Sequence, residues 1–226
     1  MVFDWGFALS TLPMLAEGAV ITLQATLISF VLAMVLGLIL ALAKMSPFAL
    51  LRVPATWFIE VIRGTPLLVQ LFVLFLILPK YGITMPALMT GVIGLGMHYS
   101  TYCAEAFRAG INSVPRGQWE AATALQMSRI QMYRRIILPQ AIPPVIPSFG
   151  NYLISLFKET PLLSSVAVVE IMQQSLFIGS DTFRYIEPIT IVGLFFLVCS
   201  VISATLVRSL ERRMSIQDRP LQQRAI

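Results

Sequence analysis

Val114 to Pro139 reads VPRGQWEAATALQMSRIQMYRRIILP, a basic and mostly polar stretch set between long apolar runs. Pro115 and Gly117 end whatever helix precedes it. Gln118 to Met127 is rich in helix formers, with Glu120 in the first turn, where its charge favours the helix dipole by about 0.3–1 kcal/mol. Ser128 followed by Gln131 is a capping-box spacing, so a second helix is expected from Arg129 to Leu138, stopping at Pro139. Trp119, Ala122 and Leu125 recur every third residue and make an apolar stripe on a segment with no obvious core of its own. The stripe either folds back onto a membrane surface or anchors in a groove of another protein. The pattern alone leaves both open.

Outward from this loop the chain is apolar. Of its 226 residues 57% are hydrophobic and only 12% charged, with a mean hydropathy of +0.82. A water-soluble domain carries about twice that charged fraction, so the bilayer is the solvent. Crossing it takes about twenty residues per helix, and about five stretches qualify: Gly18 to Ala43, Thr56 to Leu78, Met85 to Ala106, Pro144 to Ser164 and Pro188 to Leu210. The expected fold is one all-α transmembrane domain over residues 1–226. Residues 1–17 form an interfacial N-terminal segment with Trp5 at headgroup level, 116–139 the cytoplasmic loop, and 208–226 a basic cytoplasmic tail. Lys44 and Arg52, the loop arginines Arg116, Arg129, Arg134 and Arg135, and Arg208, Arg212, Arg213, Arg219 and Arg224 fall on one side, with only Lys80 and Arg184 opposite. That asymmetry places the N-terminus outside and the C-terminus in the cytoplasm. Leu162 to Ile178, broken by Glu170, Gln173 and Gln174, is then an external hairpin or short helix rather than a span. The net charge of +5 lies in loops between apolar runs, which speaks against a nucleic-acid partner. Cys103 and Cys199 sit inside apolar runs as packing residues, and no basic n-region marks a cleavable signal peptide.

Charges inside spans cost about 2.5–3.5 kcal/mol each at mid-bilayer and need a partner or a water-filled path. Glu60 and Arg63, three residues apart, can pair. Gly64 and Pro66 loosen the same helix, and Thr65 before proline is biased away from the α region. Lys158-Glu159-Thr160-Pro161 repeats the pattern of a charge beside Thr-Pro in another span. Two readings stay open. Either Arg63, Gln70, Asn151, Ser155, Lys158 and Glu159 line a path for a zwitterion, or these charges pair within their motifs and serve as gate contacts. His98, Tyr102 and Glu105 form a polar stripe, with Arg108 pairing Glu105 near the cytoplasmic end. The lone histidine suits an interhelical hydrogen bond rather than a metal site. Gly91, Gly94 and Gly96 mark a close contact, either within the subunit or at a dimer seam.

The loop residues carry a resemblance. Glu120-Ala121-Ala122, three residues, Gln126, nine residues and then Ile136-x-Leu138-Pro139 resembles the EAA loop of bacterial ABC importer permeases, with Gln126 where that family usually has glycine. Arg63-Gly-Thr-Pro-Leu-Leu-Val-Gln70, Tyr102 to Gly110, Val114 to Ala122 and Lys158 to Leu162 look like the polar amino acid permeases of that group. Leu95 to Tyr102 and Phe183 to Pro188 are most similar to ectoine and hydroxyectoine permease subunits. The resemblance implies a type I, MetI-like permease fold in the bacterial inner membrane. It also implies a docking role for Glu120, Ala121, Ala122, Leu125 and Gln126, and structural or gate roles for Glu60, Thr65, Pro66, Tyr102, Glu105, Arg108 and Pro161. The implied partners are an ABC ATPase dimer that carries ATP and Mg, a second permease chain (homo- or heterodimer), an external solute-binding protein and membrane lipid. The chain has no GxxxxGK[ST] loop of its own, so ATP chemistry belongs to another chain. A self-sufficient secondary transporter or channel is the alternative, though the single loop copy argues against a fused repeat. An intramembrane enzyme lacks HExxH, GxSxG or a facing aspartate pair.

Overall fold

The computed structural model describes residues 3–222, and among them there is helix and no strand. Arg224 and the tail beyond Gln222 lie outside the described residues, as do the first two residues of the N-terminal segment.

Asp4 caps a short helix, α1 (Trp5–Ser10), its carboxylate accepting from the amides of Gly6 and Phe7. The first long helix, α2 (Leu12–Lys44), starts six residues before the expected Gly18, because Pro13 is tolerated in a first turn. At 33 residues it is about 50 Å long, more than a bilayer core requires. Its buried face is a line of small residues at four-residue steps broken once: Gly18, Thr22, Thr26, Ser29, Ala33, Gly37 and Ala41. Small side chains let backbones approach where apolar burial gives no drive. α5 (Ala87–Ser113) lies in that groove. A Cβ on Gly37 would sit 2.6 Å from Cys103 Cβ and 2.8 Å from the Ser100 carbonyl.

The second expected span, Thr56 to Leu78, is not one straight helix. α3 (Ala49–Gly64) and the run from α4 (Leu67–Phe72) to Tyr81 meet at 108°. The cause lies in the sequence: Thr65 takes extended backbone (φ −117°, ψ 143°) before Pro66. Beyond α5 come α6 (Arg116–Ala124), α7 (Arg129–Met132) and α8 (Leu138–Ala141), then α9 (Ile146–Glu159) with a tight helical continuation to Val166. α10 (Ile171–Thr182) is bent 48° from that run. It is the short helix expected near Leu162 to Ile178, but its polar residues are not all exposed. Glu170 is fully buried, capping α10 through Gln173 N at 2.8 Å and receiving the Thr22 hydroxyl of α2 at 3.4 Å.

The last helix, α11 (Ile186–Gln222), and α2 are each long and apolar enough to cross a membrane, as is each bent pair taken as one span. α5 spans 27 residues, about 40 Å, and is set apart by its polar stripe. Gly91, Gly94 and Gly96 of that helix are packed within the chain: Cβ atoms there would meet Leu163, Leu71 and Leu32 respectively. At the α1 end Arg184 stacks over Phe7, 4.2 Å from the ring centroid, and ties Asp4 to the buried Glu187.

Two wide helical turns share a cause. Leu78 N donates to Val73 O and Leu138 N to Tyr133 O, five residues back, and each leucine precedes a proline. Proline has no N–H to give, and widening the turn carries the helix past it. The helix expected to stop at Pro139 therefore continues to Ala141.

Candidate functional site

Two groups of the expected residues come together, one at the loop and one along α5.

At the loop, α6 begins at Arg116, two residues before the expected Gln118. Glu120 thus sits in the second turn, where the helix dipole offers it little. The stripe Trp119–Ala122–Leu125 splits. Trp119 packs edge-on against Tyr133, centroids 5.5 Å apart, and joins Met45, Ile111, Val114 and Ile137 in a small core. Ala122 is buried, whereas Leu125 is 74% exposed. The loop therefore has a core of its own, contrary to the sequence expectation. Its far side presents Glu120, Ala121 and Leu125 outward.

Gln126 closes α6 in the left-handed conformation, φ 51°. Its amide donates to Thr123 O at 2.9 Å, and the Met127 amide to Ala122 O at 3.1 Å. That pair of bonds is a Schellman closure, which commonly uses glycine at this position. Gln126 makes the same turn with a side chain present. The expected capping box then starts α7: Ser128 N donates to Gln131 Oε1 at 3.1 Å and Gln131 N to Ser128 Oγ at 3.4 Å. The turn from α6 to α7 is thus specified at both ends.

Along α5 the arrangement differs from the pairing expected. Glu60 and Arg63 do not pair among the described residues; the Arg63 guanidinium lies 5.1 Å from the centroid of the Tyr102 ring. Lys158 and Glu159 do not pair either. Adjacent helical residues point about 100° apart and cannot face each other. Lys158 is exposed, while Glu159 Oε2 is buried with no hydrogen-bond partner among the described residues. Asn151, Ser155 and Lys158 fall at i, i+4 and i+7 on one side of α9, opposite the buried Phe149 and Leu156.

Gln70 is not free to line a path. Its Nε2 donates to Ile62 O (2.7 Å), Thr65 O (3.0 Å) and Thr65 Oγ1 (2.9 Å), and its Oε1 faces His98 Nδ1 at 3.2 Å. Gln70 staples the 108° bend and attaches it to α5, which gives His98 its interhelical bond. Thr65 also donates to Val61 O at 2.9 Å, and Pro66 caps α4. Pro161 lies in the tight continuation of α9, after Thr160, which is buried and donates to Phe157 O at 2.7 Å.

Glu105 pairs with Arg108 as expected, at 2.7 Å, and also takes Lys44 of α2 at 2.6 Å. Lys44 served the sequence reading only as a topology charge. Tyr152 of α9 was missed as well; its ring is 5.8 Å from Tyr102. The only signal for it was its place at the middle of the spacing Ser148, Tyr152, Ser155.

Residues 33–216 match the family model described as "Binding-protein-dependent transport system inner membrane component". The chain is 43% identical over 218 residues to the probable amino-acid ABC transporter permease protein y4tG of Sinorhizobium fredii, covering 96% of this chain and 94% of that protein. It is 32% identical over 219 residues to the arginine transport system permease protein ArtQ of Bacillus subtilis, covering 96% and 100%. A solved structure described as "Crystal structure of an amino acid ABC transporter with histidines" aligns with a TM-score of 0.87 at 37% identity, covering 94% of this chain and all of that one.

Proposed function

The chain belongs to the family of binding-protein-dependent transport system inner membrane components, and from that premise we propose that it is the permease subunit of an ATP-driven importer for an amino acid or a similar zwitterion, ectoine and hydroxyectoine included. The observation that carries the reading is the loop. Trp119 packs into an internal core and Ala122 is buried, while Glu120, Ala121 and Leu125 are held outward on a helix whose C-terminal turn is closed by Gln126 and followed at once by a capping box. A rigidly mounted helix can transmit a push from a docked partner, and a floppy one cannot.

That partner is an ATPase dimer carrying ATP and Mg on the cytoplasmic side, with the N-terminus of this chain outside. The permease need only differ in affinity for the ATPases between its two states for their closure to shift the transport path. The path side is the face bearing Arg63, Asn151, Ser155 and Lys158, with the unpartnered Glu159 oxygen behind it. Left to lipid, the exposed Glu60, Arg63 and Lys158 would each cost up to about 2.5–3.5 kcal/mol, the figure for the bilayer centre. A second permease chain covering that face, with a water-filled cavity between, removes the cost. Arg63 then meets the carboxylate of the solute and Glu159 its cationic end, delivered by an external solute-binding protein. Relatives named for amino-acid transport point to the same cargo class.

The test is Glu120→Lys. The variant is expected to reach the membrane in normal amount and to lose co-purification with the ATPase and solute-stimulated ATP hydrolysis. Normal association and normal uptake in that variant would sink the docking assignment.

A further inference from the structure

Tyr152 borders a second compartment. Between the last turns of α5 and the start of α9 lies a cleft of about 490 Å³, lined by Glu105, Arg108, Ser113, Ser148 and Tyr152 among others. It lies at the end of the bundle that carries α6 to α8, the cytoplasmic end on the reading above. An aromatic pair lies between the cleft and Arg63: the Tyr152 ring meets Tyr102 at a tilt with centroids 5.8 Å apart, and Tyr102, which also touches His98 and Tyr99, carries the Arg63 guanidinium 5.1 Å from its own centroid. A guanidinium thus stands on each side of two tyrosines.

The wall of this cleft is positive. The Glu105 carboxylate serves two cations, Lys44 on Oε1 at 2.6 Å and Arg108 on Oε2 through Nη2 at 2.7 Å and Nε at 2.9 Å. One carboxylate balances one of them, so one positive charge is left in excess. Arg108 spends Nε and Nη2 on Glu105, and its side chain remains 39% exposed beside the cleft. Among the described residues the hydroxyls of Ser148 and Tyr152 have no hydrogen-bond partner. An excess cation with two unengaged hydroxyls suits a carboxylate, and the volume accommodates a small amino acid.

We infer that the Arg108 cleft is a second carboxylate station, which holds the solute after it has passed the Tyr102–Tyr152 pair and before it leaves. The inference rests on the transport reading for its cargo, but not for its charge. A cleft at this depth also meets acidic lipid headgroups, whose phosphate shares the chemistry, and the test separates the two.

Place a single thiol at Ser148→Cys with Cys103→Ala and Cys199→Ala, and put the purified permease in phosphatidylcholine nanodiscs. Compare its reaction with an anionic methanethiosulfonate (ethylsulfonate) and a cationic one (ethyltrimethylammonium), each normalised to free cysteine. The anionic reagent is expected to be favoured by about fivefold, the effect of one nearby unit charge partly screened. Arg108→Gln brings the ratio near unity, and Lys44→Met does the same from the other side should the first variant fail to insert. Millimolar alanine, glutamine or arginine is expected to slow labelling while the corresponding amino-acid amides do not. A ratio at or below unity in the parent, or equal protection by the amides, overturns the inference. Protection that appears only when phosphatidylglycerol is added makes the cleft a lipid site and overturns it too. Labelling needs no ATPase, so a failed transport reading leaves this result standing, and the reverse also holds.

Discussion

Replacing Gln126 with glycine removes the positive-φ side chain from the α6–α7 turn. Gln126 sits at φ 51°, a conformation that costs an L-residue roughly 1–2 kcal/mol. Glycine is free of that cost but loses about 0.5–1 kcal/mol of chain entropy on ordering. The net expectation for Gln126→Gly is a stabilisation of the α6–α7 turn by about 0.5–1 kcal/mol, or about two- to fivefold in its opening equilibrium at 1.36 kcal/mol per decade. The readout is hydrogen exchange at the amides that close the turn, Gln126 N on Thr123 O and Met127 N on Ala122 O. Their exchange is expected to slow two- to fivefold in the glycine variant. Gln126→Ala, which keeps a Cβ in the same conformation, leaves it nearly unchanged. Gln126→Val, β-branched, speeds it. Unchanged or faster exchange in the glycine variant would refute the claim that left-handed strain is stored there.

Gly37→Leu drives a side chain into the backbone of α5 at Ser100 and into Cys103; a loss of about 3 kcal/mol or more is expected, read as loss of folded protein in a detergent-unfolding titration. Gln70→Leu leaves Ile62 O and Thr65 O without their donor, costing about 2–3 kcal/mol. Spin labels on α3 and α4 then report a broadened distance across the bend, whereas an unchanged distribution denies Gln70 its staple role. The amide of Phe7, with those of Gly6 and the Arg184 guanidinium, holds the Asp4 carboxyl below its ordinary 3.8 despite some desolvation. A depressed carboxylate pKa stabilises above the unfolded value and is lost as pH falls through the folded one. The attachment of α1 to α11 is therefore kept down to about pH 4 and released below it, as Trp5 fluorescence reports. Asp4→Asn flattens that transition.

Much of this architecture was legible because membrane folding leaves a coarse trace. The apolar runs located the helices, and Gly64-Thr65-Pro66 announced a weak point, though not a 108° bend: that angle depends on Gln70, eight residues from Ile62, reaching back to its carbonyl. The capping box at Ser128 and Gln131 was readable because it is local. The small-residue line from Gly18 to Ala41 is readable in principle, since its period is that of the helix, but its mix of Gly, Thr, Ser and Ala is a weaker local signal than the closely spaced Gly91, Gly94 and Gly96 of α5. What stayed hidden is what tertiary contact decides. Arg63 stood three residues from Glu60 and chose the Tyr102 ring. Lys44 lies 61 positions from Glu105 in the chain, so no spacing rule pairs them. Glu170 read as one of the polar residues that break an apolar run, and nothing local showed that a cap and a threonine of α2 would allow it to be buried.

The central claim is that this chain moves solute only as the partner of a separate ATPase that grips α6. The most direct measurement is initial uptake of labelled amino acids into proteoliposomes holding the permease, its ATPase and the binding protein, with and without ATP and with the ATPase omitted. The account predicts ATP-dependent uptake that disappears when the ATPase is omitted and when Glu120 is replaced by lysine. Uptake that persists without the ATPase and follows a proton or sodium gradient would contradict it.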